Sequence, residues 1–543
     1  MNDLTKWYKE AIFYEIDPRT YFDSNGDGIG DLQGILQKLD YIKSLGTDCI
    51  WLLPIFPSPM KDGGYDIEDY YSIHPDLGTV EDLKELINAI HQHGMRLILD
   101  LVVNHTSDQC DWFQKGEADK DSPYHNYYVW SDSDDKYKDT RIIFLDTEKS
   151  NWAWSEKAQQ YYWHRFFSSQ PDLNYDNPAV REEMKMIMRF WLDMGIDGFR
   201  VDAVPYLFER EGTNCENLPE THVYLKEMRQ LIDTEYPDCI LLAEVNQWPR
   251  DLMPYLADGD KFHMAFNFPV MPRIFKSVAN GDNSSLIETL KDTPAIPEDC
   301  QWCTFLRNHD ELTVEMVSEE DRKLLWDIYA PEKRMRLNLG IRRRLAPLMG
   351  GDMHKVELLY AILFSLPGVA IIYFGDEIGM GDNIWLEDRD GVRTPMQWSN
   401  GAHAGFTSGN PKKLYRPVID EGKYSYKKIN VAQQKADKDS FLNKLKALVQ
   451  MRKAHPIFTS QGFTIVNAGQ REVFAIQRSN DNEMIFCLHN LTDEQQTVSL
   501  GKTTYNHLHA SIDQKLQEKQ YSGEVTLSPF SYLWLIRILR KPD

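Results

Sequence analysis

The sequence predicts an α/β fold: a (β/α)8 barrel with an inserted subdomain after strand 3 and a C-terminal antiparallel β domain. Three observations predict it. Eight short apolar strand patterns run from Ala11 to Tyr373, seven of them separated by an amphipathic helix or by an insertion long enough to hold one. Charged and imidazole side chains recur at the C-terminal ends of these strands, where such a barrel gathers its site. After His455-Pro456 the helical period gives way to short alternating runs.

Ala11 to Asp17 forms the first strand. It is followed by Asp23-Ser-Asn25-Gly-Asp27-Gly-Ile29-Gly-Asp31, where side-chain oxygens and glycines alternate. Such a loop can wrap a hard cation. It opens like an EF-hand loop, but Gly34 stands where the twelfth-position glutamate belongs and no helix precedes it. A loop-borne Ca2+ or Mg2+ site of another kind and a metal-free polar turn both fit. Leu32 to Leu45 reads as one amphipathic helix ended by Gly46, and Cys49 to Leu53 as the second strand, closed by Pro54, Pro57 and Pro59. Thr79 to His93 is a helix with a threonine cap, acidic residues Glu81 and Asp82 in its first turn, and Gly94 as its stop. Arg96 to Val103 is the third strand and runs into Asn104-His105.

From residue 106 to 171 the periodicity fails and Asp, Ser, Lys, Trp and Tyr dominate. That length calls for a small subdomain rather than a structureless loop. A helix pattern from Val180 to Asp193 then leads to the fourth strand, Gly198 to Ala203. Alternate residues of a strand share a face, so Arg200 and Asp202 point together. A carboxylate beside a guanidinium has a lowered pKa and stays ionised, as a nucleophile must; a structural ion pair is the alternative. Helix Pro219 to Tyr236 precedes the fifth strand, Cys239 to Val245. The sixth, His263 to Phe268, is weakly marked; the seventh is Cys303 to His309 and the eighth Val369 to Tyr373. Helices Lys355 to Leu366 and Asp439 to Ala454 complete the series. The barrel is therefore expected over 1–105 and 172–455, with lid-forming insertions at 310–351 and 378–437. A β-sandwich is expected over 456–543, from the runs 464–466, 473–477, 484–488 and 532–538.

The formal net charge of −23 argues against nucleic acid or an anionic membrane as partner and fits a neutral small molecule or simply solubility. No run of 18 apolar residues marks a membrane span, and Met1 to Glu10 lacks the apolar core of a signal peptide. Seven cysteines without metal-type spacing read as free thiols, and the location expected is the cytoplasm. A homodimer or homotetramer is the assembly expected, although no residue pattern selects between them.

Three acids stand at strand ends: Asp202 on the fourth, Glu244 on the fifth and Asp310 directly after the seventh. Two carboxylates flanking a bond, one ionised and one protonated, are what breaking an acetal requires. Ile240, Leu241, Leu242 and Ala243 precede Glu244, and an apolar setting raises a carboxyl pKa as a general acid needs. His105 and His309 also end strands and can donate to hydroxyls. Trp152, Trp154, Phe166 and Phe167 are candidate sugar-stacking rings at the rim.

DLVVNH, GFRVDA, LLAEV and FLRNHD, in this order, resemble the four signature regions of the α-amylase family of glycoside hydrolases; QPDLN and the GDGIGD loop resemble further regions. The resemblance implies Asp202 as nucleophile, Glu244 as general acid/base and Asp310 as transition-state stabiliser. Arg200 would lie beside the nucleophile and His105 and His309 on sugar hydroxyls, with Tyr65 stacking beneath the first glucose and Asp66 and Arg393 forming its polar cap. A calcium site is implied at Asn104, Asp172 and Glu209 with the carbonyls of Tyr206 and Leu207. A second metal would sit on Asp23, Asn25, Asp27, the Ile29 carbonyl and Asp31. Residues 340–352, 388–398 and 202–222 look closest to family members that isomerise maltose to trehalose. The substrates implied are maltose, trehalose and glucose. Arg141, Asn246, Glu311 and Arg393 are then candidates for the gate or for contacts with the second glucose, with a surface salt bridge as the alternative for Arg141. A hydrolase of the same family, of α-glucosidase or oligo-1,6-glucosidase type, would carry the same acids. A binding module that has lost catalysis would be expected to lack some of them.

Overall fold

The computed structural model describes residues 6–409, 412–511 and 520–539. Eight parallel strands close into a barrel: Ile12–Ile16, Cys49–Leu52, Arg96–Val102, Gly198–Asp202, Ile240–Ala243, Met264–Phe266, Gln301–Phe305 and Val369–Tyr373. Each pairs with the next, and the eighth pairs back onto the first through Ile12 opposite Ala370. Alternation sorts the side chains. Phe13, Trp51, Ile98, Leu242, Phe266, Phe305 and Ile371 fill the interior. Tyr14, Leu52, Leu99, Val201 and Ile372 face the surrounding helices. Glu15, Asp100 and Arg200 share the inward parity, so the mouth of the barrel is polar where its middle is apolar.

The helices begin and end where local chemistry demands. Thr79 and Asp82 form a reciprocal capping box on helix Val80–Gln92. Helix Pro178–Leu192 opens on an Asn177 cap with Pro178 in its first position. The expected helix from Leu32 to Leu45 is two short ones, Leu32–Leu36 and Leu39–Ser44, split at Gln37 and Lys38. The first is held close to the chain after the first strand: a Cβ on Gly34 would lie 1.9 Å from the Phe22 carbonyl oxygen.

The insertion after the third strand has its own helix, Asp111–Ala118, and a three-stranded antiparallel sheet of Trp130–Ser131, Gln160–Trp163 and Trp152–Ser155. The insertion after the seventh strand carries a small sheet of Leu312–Thr313, Gly340–Ile341 and Arg336–Leu337, and helix Glu319–Tyr329. The C-terminal domain is one six-stranded antiparallel sheet where a two-layered sandwich was expected. Its longest strand, Gln496–Ala510, pairs first with Gln520–Leu527 and then, past register shifts, with Tyr532–Ile538. The sheet therefore curls: Val473, Leu488, Val498, Leu527 and Leu535 close one core, while Phe474, Ile476 and Trp534 join the core shared with the barrel.

Candidate active site

Asp202, Glu244 and Asp310 converge on one cavity at the C-terminal mouth of the barrel, with Tyr65, His105, Phe166, Asn246 and Glu311 in its wall. Arg200 lies just behind. Its Nη1 is 2.7 Å from Asp202 and 2.5 Å from Asp100, and its Nη2 is 2.7 Å from Glu244. One guanidinium is thus divided among three carboxylates. This overturns the expectation of a depressed Asp202: burial outweighs the shared Arg200 and raises Asp202 to about 6. Burial likewise raises Glu244 to about 7, against the pull of Arg200 and with help from Asp202 and Asp310. Between them stands Ala203 at φ 52°, a left-handed conformation sparse for a residue with a Cβ. That turn directs the Ala203 N–H at Glu244 Oε2, 3.3 Å away.

The third acid has different surroundings. Burial alone would raise Asp310, but His309, Arg389 and Arg393 hold it well below the usual carboxylate range. His309 Nε2 is 3.1 Å from one oxygen, and Arg389 Nη1 and Arg393 Nη2 each donate to the other at 3.0 Å. His309 is itself braced by Glu15, whose carboxylate lies 2.5 Å from Nδ1. Burial opposes its charge, yet Asp310 and Glu15 raise it to about 9, so it is cationic at neutral pH. Tyr65 stacks on its ring at 5.4 Å and 9°. His105 is the opposite case: burial lowers it to about 3, and it is neutral, accepting at Nε2 from Gln170 at 3.1 Å.

Asp66 and Arg393, expected together as the polar cap, both lie outside the residues that line the cavity, Arg393 behind Asp310 and Asp66 in its own loop. The Asp66 carboxylate turns into its own loop and accepts from Ser58 Oγ and the backbone N–H groups of Lys61 and Asp62. Asp62 takes the place in the wall, paired with Arg389 and accepting from Gln170 at 2.8 Å. The glycine turn between them permits this: Gly63 has φ 59°, and a Cβ there would meet Arg393 Nη1 at 2.2 Å. Sequence reasoning missed Asp62 and Arg389, and also Glu15 and Asp100. The last two carried a signal, a charge on the inward parity of an apolar strand.

The insertions are tied to one another beside the cavity, which Glu315 and Asn246 help to line. Arg141, from the insertion after the third strand, donates from Nε to Glu216 at 2.7 Å and pairs through Nη1 with Glu315, from the insertion after the seventh. Asn246 donates to Glu315 at 3.0 Å. Arg141 is therefore no isolated surface pair. Beyond it, Asp146 and Asn338 exchange backbone-to-side-chain hydrogen bonds of 3.2 and 2.8 Å across the same seam.

The expected calcium ligands behave unevenly. Asn104 Oδ1, Asp172 Oδ2 and Glu209 Oε1 are buried with no hydrogen-bond partner. Burial raises Asp172 to about 8 and pushes Glu209 well up. Three acceptor oxygens left without donors fit a hard cation. The loop of Asp23, Asn25, Asp27, Ile29 and Asp31 is instead satisfied by its own hydrogen bonds. Asp23 accepts from Gly26 and Gly28, and Asp31 caps helix Leu32–Leu36 and accepts from Ser24.

A barrel with three acids at its mouth, an insertion after the third strand and a C-terminal β domain defines a class, and the chain belongs to it: the α-amylase family. Residues 15–330 and 342–461 match the family described as alpha amylase, catalytic domain, and 473–531 match the alpha-amylase SusG C-terminal domain. The chain is 52% identical over 510 residues to a trehalose synthase/amylase of Mycolicibacterium smegmatis, covering 92% of this chain and 86% of that one. It is 49% identical over 518 residues to a trehalose synthase of a Pimelobacter species, covering 93% and 90%. Among solved structures, a trehalulose synthase of Pseudomonas mesoacidophila matches with a TM-score of 0.81 at 27% identity, over 98% of this chain and 99% of that one.

Proposed function

We propose that this enzyme isomerises maltose to trehalose by a retaining double displacement. Asp202 attacks the anomeric carbon of the non-reducing glucose while Glu244 gives its proton to the glycosidic oxygen, and the second glucose leaves. Asp310, held ionised by His309, Arg389 and Arg393, faces the positive charge that develops on the ring. The freed glucose turns and returns its own anomeric hydroxyl. Glu244 takes that proton, the new bond forms and Asp202 is released. Water in place of glucose gives hydrolysis as a minor route. The single observation carrying isomerase over hydrolase is that Arg141, Glu315 and Asn246 tie separate chain segments together at the cavity, an arrangement that supports a sealed pocket. The insertions at 310–351 and 378–437 act with them as the lid.

The test is incubation with maltose and product analysis. Trehalose in excess over glucose supports the reading. Glucose alone makes the protein an α-glucosidase or oligo-1,6-glucosidase type hydrolase, and no turnover makes it a binding module.

Asn104, Asp172 and Glu209, with the carbonyls of Tyr206 and Leu207, would hold calcium; the orphaned oxygens support this. The ion would neutralise buried carboxylates and pin the insertion to the loop after the nucleophile strand. For the 23–31 loop, Ca2+ or Mg2+ is the proposal that titration with each ion tests. Assembly as a homodimer or homotetramer and a cytoplasmic location are further proposals, tested by sedimentation and cell fractionation. No helix among the described residues is long and apolar enough to cross a membrane.

A further inference from the structure

Glu15 is fully buried behind the cavity wall that Tyr65 and Asp310 help to form. One of its oxygens makes both of its bonds to His309. Oε1 accepts from the His309 backbone N–H at 3.1 Å and stands 2.5 Å from the ring Nδ1. Oε2 is buried with no hydrogen-bond partner. A bare carboxylate oxygen in the interior is costly, and a neutral side chain of the same shape would serve the two His309 donors with less loss of solvation. What a neutral side chain could not supply is the negative charge.

The other edge of the ring shows where that charge is used. His309 Nε2 lies 2.8 Å from the Tyr65 hydroxyl and 3.1 Å from an Asp310 oxygen. The Tyr65 hydroxyl has one proton and donates it to Asp100 at 3.2 Å. Both ring nitrogens therefore face acceptors, and only the imidazolium satisfies both. A neutral ring would turn a lone pair toward Asp310 or toward Glu15. With the lone pair at Nε2, it would also draw the Tyr65 proton away from Asp100, which shares Arg200 with Asp202. The ring thus joins Asp310 to the Arg200 cluster through one hydroxyl.

The remaining charges around His309 call for a counter-charge behind it. Arg389 and Arg393 both pair with Asp310, and Arg393 Nε donates to the His309 carbonyl at 2.9 Å. Arg389 is shared further with Asp62 and Asp388. A third cation set beside two arginines is repelled by them unless a carboxylate of its own lies close, and Glu15 is that carboxylate. Cys303 and Tyr373, which also adjoin Glu15, are pushed up by burial with Glu15 adding to it, and stay uncharged. We propose that Glu15 is a positioning residue for this centre: from behind the wall it fixes the His309 ring and its positive charge, and so keeps Asp310 and Tyr65 in their working orientation. The role of Glu15 rests on the reading of Asp310 given above, which an isomerase and a hydrolase share.

Glu15→Gln keeps the shape and the acceptor and removes the charge. In full-length protein with 15N-labelled histidine, the His309 ring, assigned by its loss in His309→Asn, should show both nitrogens protonated at about pH 7.5. In Glu15→Gln its titration midpoint should fall by at least about one pH unit. For maltose, kcat should fall roughly 10- to 100-fold, the scale of removing a carboxylate behind a metal-bound histidine, while KM changes by less than about threefold. A hydrogen bond kept for shape alone would leave the midpoint and kcat of Glu15→Gln at their wild-type values, and that result would overturn the proposal. A neutral His309 ring in the wild type would overturn it without any variant. Because the spectra need no turnover and kcat is read as maltose consumed, the result is separate from whether the product is trehalose or glucose.

Discussion

Arg200 holds Asp202 and Glu244 at once, with Nη1 2.7 Å from Asp202 and Nη2 2.7 Å from Glu244. Burial raises them to about 6 and about 7, because Arg200, shared also with Asp100, does not offset it.

A narrow pH optimum follows. The nucleophile must have lost its proton and the general acid must keep its own, so kcat/KM for maltose should peak between about 6 and 7. The acid limb reports Asp202 and the alkaline limb Glu244. An acid limb near the ordinary aspartate value would show that Arg200 dominates after all.

The roles of the acids separate chemically. Glu244→Gln should slow maltose turnover by roughly 100- to 10,000-fold, the usual worth of a positioned acid. α-Glucosyl fluoride, whose leaving group needs no proton, should suffer much less in its first step. Asp202→Asn should abolish turnover of both. Equal losses for the two substrates in Glu244→Gln would remove Glu244 from the protonating role.

Arg141→Ala breaks the tie to Glu216 and Glu315. The ratio of glucose to trehalose should rise several-fold while maltose is still consumed, because water gains entry to the glucosyl-enzyme. Chromatography of products at matched conversion measures this, and an unchanged ratio would strip Arg141 of its sealing role.

Asp62 and Asp66 should part company. Asp62→Asn removes charge facing Arg389 in the cavity wall and should lower kcat/KM for maltose by roughly tenfold or more, the scale of a hydrogen bond to a charged group. Asp66→Asn, in a loop knot of three hydrogen bonds, should show mainly as a lower melting temperature. The reverse pattern would return Asp66 to the sugar.

Calcium should stabilise more at pH 8 than at pH 5. Without the ion, Asp172 has a folded-state pKa of about 8, above its unfolded value near 4. Between these values the folded state holds a proton that the unfolded chain does not, so metal-free stability falls as pH rises. A bound ion takes the place of that proton and flattens the slope. Melting temperatures with calcium and with a chelator, at the two pH values, give the comparison; parallel slopes would argue against an ion between Asn104, Asp172 and Glu209.

Periodicity made the barrel legible, because alternation along Ile12–Ile16 or Arg96–Val102 is written directly in residue type. The three acids were legible from their place at strand ends. Other features depend on long-range approach and leave little local trace. Arg389 reaches Asp310 and Asp62 from a loop with no period, and GGYD alone does not say which flanking aspartate faces the cavity. In the C-terminal domain, strands Gln496–Ala510 and Gln520–Leu527 went unread because their polar, half-exposed residues carry no strong apolar signal. The pKa of Asp202 required knowing that Arg200 has two further claimants.

Arg141, which pairs with Glu315, and Arg389, which pairs with Asp62 and Asp310, come from excursions of the chain that share no strand of the barrel. The residues around the cavity are therefore under separate inheritance: substitution in one excursion can change the wall on one side while Asp202 and Glu244, at the ends of their own strands, stay where they are.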